Sequence, residues 1–152
     1  HYTLAAMGAP PFTAFKLPVV AVYEDDVSVV GGQARLRFIH AADGQSGLEF
    51  GSGSSGTYTR NFSASDYTKV GDAAGQTYLT VPAVANGTYS LRVAGASGDL
   101  VPLLNKVTLL AGAVYTATAI GVAGSGTSPL AISLCNDSAA PTSGLAACNE
   151  LR

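Results

Sequence analysis

The sequence predicts an all-β, immunoglobulin-like antiparallel β-sandwich with an N-terminal β-hairpin extension. Three observations predict it. Apolar and polar residues alternate with period two in several short runs, and turn formers separate those runs at intervals of about 8–12 residues. No window keeps a helical period for long. The chain has 18 Gly and 7 Pro in 152 residues and is poor in the Glu, Lys and Gln that helices favour. It is long enough for one substantial core, not for two full sandwiches.

Taken along the chain, Arg35-Leu36-Arg37-Phe38-Ile39-His40 sets Leu36 and Ile39 among apolar neighbours, with Arg35 and Arg37 on the opposite side. Tyr78-Leu79-Thr80-Val81 reads as a strand that Pro82 ends or confines to a sheet edge. Asn86-Gly87 is a turn signal, and Thr88 to Val93 then sends Tyr89, Leu91 and Val93 to one face. Val114 to Ile120 and Leu130 to Leu134 are two more strands. The uncharged run from Val107 to Asn136 is interrupted by Gly112, Gly121, Gly124, Gly126 and Pro129, so it reads as strands rather than a membrane span.

An internal repeat organises the rest. Tyr2-Thr3-Leu4-Ala5-Ala6-Met7-Gly8 matches Tyr115-Thr116-Ala117-Thr118-Ala119-Ile120-Gly121. Pro18 then falls on Pro129 after a slightly shorter loop, and Asp25-Asp26 fall on Asn136-Asp137. The chain therefore divides into an orphan hairpin (1–26), a linker (27–33), a complete sandwich (34–137) and a disulfide-closed tail (138–152). A lone hairpin is marginal in water and its edges template association. It must dock on its own domain, pair with another chain, or be the remnant of a longer one. Tyr2, Leu4, Ala6, Val20 and Val22 are the residues expected to carry any assembly through it.

Several of these runs together resemble the domain of unknown function 4397 family. They are Ala34 to Ala41, Tyr78-Leu79-Thr80-Val81-Pro82, Gly87 to Val93, and Val107-Thr108-Leu109 with Tyr115-Thr116 and Gly121. The resemblance covers roughly residues 34–137, and 2–26 again as a partial copy. It implies a secreted or surface-attached prokaryotic β-sandwich, often in tandem, without an established catalytic site. Residues 51–56 and 63–75 replace a shorter hairpin of that family, and the tail with its two cysteines is a further departure.

The chemistry-bearing residues are few. Charged residues make up 12% of the chain and the net charge is -2, so no basic field exists for nucleic acid or an anionic membrane. Cys135 and Cys148 have no CxxC spacing and no nearby His, which favours a disulfide over a metal or redox pair; two free thiols are the alternative. A disulfide points to an extracellular or cell-surface location. His1 and His40 are the only histidines. A terminal His with a second His on a sandwich is the ligand set of a copper brace, but a strand-end His is ordinarily structural. Gly51, Gly53 and Gly56 fit GxGxxG, yet a strand-like run rather than a helix follows, so they form a hairpin tip. Glu24, Asp25 and Asp26 could offer oxygen ligands to calcium at a domain junction but lack any loop spacing for it. Asn61, Asn86 and Asn136 head Asn-x-Ser/Thr triplets. No nucleophile elbow and no assignable His–Asp pair occur.

The expectation is a non-catalytic extracellular structural subunit with no cofactor and no metal. It assembles into a filament or surface array by β-strand addition of residues 1–26 to a neighbouring subunit. Its partners are copies of itself or neighbouring domains, without nucleic acid or membrane insertion. The alternative is an adhesion or carbohydrate-binding module, for which Tyr58, Phe62 and Tyr67 form the aromatic platform.

Overall fold

A computed structural model of the chain describes residues 1–8, 19–28, 30–53, 56–138 and 147–151, and of 101–105, 147 and 149–151 the backbone alone. Eleven strands run through it and none of the described residues is helical. Strands β1 (Tyr2–Met7) and β2 (Val19–Glu24) form a two-stranded sheet of their own. A five-stranded sheet has the order β11-β10-β9-β3-β6, from β3 (Gln33–His40), β6 (Leu79–Pro82), β9 (Val114–Ile120), β10 (Ala131–Asn136) and β11 (Ala147–Leu151). A four-stranded sheet has the order β5-β4-β7-β8, from β4 (Leu48–Ser52), β5 (Thr59–Ser65), β7 (Val84–Val93) and β8 (Val101–Leu109). The two larger sheets are the sandwich that the alternation predicts. Every strand pair is antiparallel except β3–β9, which run parallel with Arg37 opposite Thr116.

The core follows from the period of two. Leu36 and Phe38 on β3, Tyr115 and Ala117 on β9 and Ile132 on β10 face Leu48, Phe50, Phe62, Tyr89, Leu91, Val107 and Leu109 of the other sheet. Phe50 stacks between Phe38 (ring centroids 5.3 Å) and Tyr89 (5.5 Å). Such offset pairs add about 0.5–1.5 kcal/mol each beyond their burial. A void among Leu36, Phe50, Tyr89 and Ile132 holds about 10 Å³, room for one water at most.

Four sequence expectations need correction. Asn86-Gly87 is not a turn: β7 continues through it as a bulge against β8. Asn86 takes the left-handed conformation (φ 58°) that Asn tolerates, and a side chain on Gly87 would press on Val84 and Tyr89. The tail is not outside the fold: β11 extends the five-stranded sheet, with Cys148 opposite Cys135 and bonded to it. Arg37 is not solvent-facing but wholly buried. Ile39 is also wholly buried, yet it does not belong to the core between the sheets. Both lie on the outer side of the five-stranded sheet, where the hairpin covers Arg37.

His40 shows why a strand-end histidine need not be a ligand. Its Nδ1 accepts the amide of Ala42 (3.2 Å) and its Nε2 donates to the Gln45 carbonyl (2.8 Å), so both ring nitrogens are committed. Burial holds its pKa below the ordinary 6.5. A depressed histidine stabilises the fold above its unfolded pKa, and that stability is lost as pH falls through the folded one. An NMR titration of the His40 ring should therefore find a midpoint below 6.5; a midpoint at or above that value would contradict this environment. Removing the bridge with Cys148→Ser should lower unfolding free energy by about 3 kcal/mol, read by denaturant melts, and an unchanged midpoint would show that the ladder alone holds β11.

Candidate functional site at the hairpin joint

The two hairpins match residue for residue. In β1–β2, Tyr2 opposes Glu24, Leu4 opposes Val22 and Ala6 opposes Val20. In β9–β10, Tyr115 opposes Asn136, Ala117 opposes Leu134 and Ala119 opposes Ile132. The ladders thus place Asp25 on Asp137, one position away from the alignment that Pro18 and Pro129 suggest. Two further bonds fix this equivalence. The Asp25 amide donates to the His1 carbonyl (3.0 Å), as that of Asp137 does to Val114 (2.8 Å). Thr3 Oγ1 donates to Asp25 Oδ1 (2.8 Å), as Thr116 Oγ1 does to Asp137 Oδ2 (2.6 Å).

Both Thr–Asp pairs address one guanidinium. Arg37 Nη2 lies 2.8 Å from Asp25 Oδ1 and donates to Thr3 Oγ1 (3.1 Å) and Thr116 Oγ1 (2.8 Å). Its Nε donates to Thr116 (3.2 Å) and its Nη1 to the Glu24 carbonyl (3.2 Å). The Tyr78 and Tyr23 rings lie 5.0 Å and 6.0 Å from it. Burial pushes the Tyr78 phenol up to about 12 against the opposing pull of Arg37. Two carboxylates therefore meet one cation. Asp25 forms the ion pair, and Asp137 has its pKa raised, first by burial and then by the nearby Asp25, against the opposing pull of Thr116 and Arg37. A second anchor comes from Tyr23, whose hydroxyl donates to the Thr68 carbonyl (2.9 Å).

Asp26 is likewise engaged. It pairs with Arg35 (2.8 Å), and hydrogen bonds from Ser28 and Arg35 hold its carboxyl down at about 2. Glu24, Asp25, Asp26, Arg35 and Tyr78 line an open polar cleft of about 610 Å³. The two aspartates there belong to different arginines, and among the described residues no three acidic, His or Cys side chains converge to hold a metal ion.

The other anticipated residues separate. Tyr2, Leu4, Val20 and Val22 are 65%, 69%, 65% and 60% exposed, with Ala6 beside them on one face of the hairpin. Of their equivalents, Tyr115, Ala117, Ala119 and Ile132 are buried in the core, and Leu134, the counterpart of Val22, is partly buried against it. The aromatic platform does not form. Phe62 is wholly buried between the sheets, and Tyr67 meets His40 edge-on at 6.2 Å. Tyr58 instead stacks on Arg92 (3.9 Å), lying over Gly51 where any side chain would collide with it. That contact explains Gly51 without a phosphate. The residues that sequence reasoning misses are Arg37, Thr3, Thr116 and Asp137. A signal for three of them was present, since Thr3–Thr116 falls inside the repeat and Asp137 ends it.

No protein-family model, curated protein or solved structure matches the chain.

The joint makes two aspartates with the same local geometry energetically unequal. Asp25→Asn should cost about 3–5 kcal/mol, because it leaves a buried guanidinium without its ion pair. Asp137→Asn keeps an acceptor for Thr116 and removes a carboxylate whose raised pKa is a cost at neutral pH. Its stability at pH 7 should stay within about 1 kcal/mol of the parent or rise. Denaturant melts of both variants check this, and equal losses would refute the assignment.

Proposed function

We propose that the chain is a non-catalytic structural subunit of an extracellular assembly, joined to a neighbouring subunit by β-strand addition at its N-terminal hairpin. The observation that carries this reading is the outward face of that hairpin. It presents Tyr2, Leu4, Val20 and Val22 to solvent at positions whose equivalents in the sandwich are buried in the core (Tyr115, Ala117, Ile132) or pack against it (Leu134). A contiguous apolar face of this kind marks an interaction surface. Covering a fully exposed Leu or Val contributes about 1.5–3 kcal/mol. Neither β1 nor β2 pairs with any other described strand, so backbone donors and acceptors are available along with the apolar side chains.

The remaining features support the same role. The Cys135–Cys148 disulfide suits an oxidising, secreted environment. No helix of the described residues is long and apolar enough to cross a membrane. The resemblance of the strand pattern to the domain of unknown function 4397 family would fit a surface-attached module. The adhesion alternative loses its aromatic platform, because Phe62 is core and Tyr58 and Tyr67 point elsewhere.

Light scattering and electron microscopy of purified protein should show concentration-dependent assemblies. The double variant Leu4→Glu, Val22→Lys keeps a favourable cross-strand pair in the hairpin but makes its face polar. It should remain a folded monomer with the parental melting of the sandwich. Assemblies that persist in this variant would overturn the strand-addition reading.

A further inference from the structure

The hairpin lacks a specific neighbour as well as a cover. In the sandwich, β9 has β10 on one edge and β3 on the other, parallel, with Arg37 opposite Thr116 and Phe38 opposite Ala117. In the hairpin, β2 occupies the β10 position, and no described strand occupies the place of β3. The strand β3 is two-sided. Leu36 and Phe38 enter the core, and Arg37 points the other way, into the layer between sheet and hairpin.

The charges in that layer point to the same vacancy. Arg37 stands beside the Thr116 of its own sheet and reaches across to Asp25 of the opposite hairpin. Thr3 and Thr116 both lie within hydrogen-bond distance of the single atom Nη2, so each hairpin brings a threonine to this guanidinium, while Asp25 alone of the two aspartates pairs with it. Exchanging them carries Asp25 onto Asp137 and puts a second arginine beside Thr3, within reach of Asp137. Asp137 now accepts from Thr116 and forms no ion pair among the described residues. Burial raises its pKa, as for a carboxylate short of a cation.

We infer that the hairpin's partner is a strand patterned like β3 but open along one edge, in a neighbouring sandwich: it runs parallel to β1, sets an arginine opposite Thr3 that pairs with Asp137, and continues the face of Leu4, Val20 and Val22 with apolar side chains. The inference rests on the strand-addition reading and adds direction, register and charge to it. A second copy packing hairpin against hairpin does not meet the same demand, since it would cover the apolar face and bring no cation to Asp137. The arginine would balance the cluster at two cations and two carboxylates, with bidentate geometry available to the new pair.

Two fluorescein-labelled peptides test this on the full chain. One carries the sequence of residues 34–41, and the other has glutamine at the Arg37 position. The first should bind saturably, and the second about tenfold more weakly. Asp137→Asn should weaken the first peptide to the level of the second and leave the second unchanged, a coupling that a merely structural Asp137 would not produce. Equal binding of both peptides, or no response to Asp137→Asn, would overturn the arginine register while leaving edge pairing intact. If neither peptide binds but the chain still assembles and Leu4→Glu, Val22→Lys stops it, the inference fails and strand addition survives. If neither peptide binds and the chain is a monomer at all concentrations, both fall.

Discussion

Arg37 carries a full positive charge at a position without solvent contact, and several features of the molecule follow from satisfying it. Moving such a charge out of water costs several kcal/mol, and only close pairing with saturated hydrogen bonding offsets that cost. Asp25, the Glu24 carbonyl, Thr3 and Thr116 supply the bonds. Three of those four groups come from the N-terminal hairpin. The sandwich thus holds a hairpin that shares no ladder with it chiefly through one side chain planted in the middle of β3, with the Tyr23–Thr68 bond and the Asp26–Arg35 pair beside it. Tyr23 and Tyr78 close over the same guanidinium and keep water from it.

The constraint reaches back into the strands. Thr116 serves because β9 lies parallel beside β3 with the two residues in register. Thr3 serves because the repeat places an equivalent threonine on β1. Each threonine accepts from the cation and donates to an aspartate, so the hydroxyls relay charge rather than merely fill space. Holding the hairpin by its Thr3 side turns its other side outward. The exposed Leu4, Val20 and Val22 are thus the necessary reverse of the contact that buries Arg37, and the proposed assembly grows from that orientation.

Alternation alone makes much of the sandwich legible, because Tyr89, Leu91 and Phe38 lie in runs where the buried face is the apolar one. It misplaces Arg37 for the same reason: period two assigns that position to solvent, and the hairpin that buries it leaves no mark on residues 34–40. The parallel β3–β9 pair is invisible locally, since side-chain period carries no information about the direction of a neighbour. Phe62 sits in a polar run, Thr59-Arg60-Asn61-Phe62-Ser63, that gives no reason to expect a core residue. β11 has no period of its own and takes its place through its ladder and the Cys135–Cys148 bond. The apolar face of the hairpin is readable in advance, since Tyr2, Leu4, Ala6, Val20 and Val22 share one side by alternation. That it is the counterpart of core residues becomes clear only when the two ladders are compared.

The most direct test of the account is hydrogen exchange of the hairpin amides in the parent and in Arg37→Lys, which keeps the charge but loses the fork of donors. The account predicts that amides of residues 2–7 and 19–24 are protected in the parent and lose protection in the variant, with β4, β7 and β9 unchanged. Hairpin amides that exchange freely in the parent, or keep their protection in the variant, would contradict the claim that Arg37 holds the two parts together.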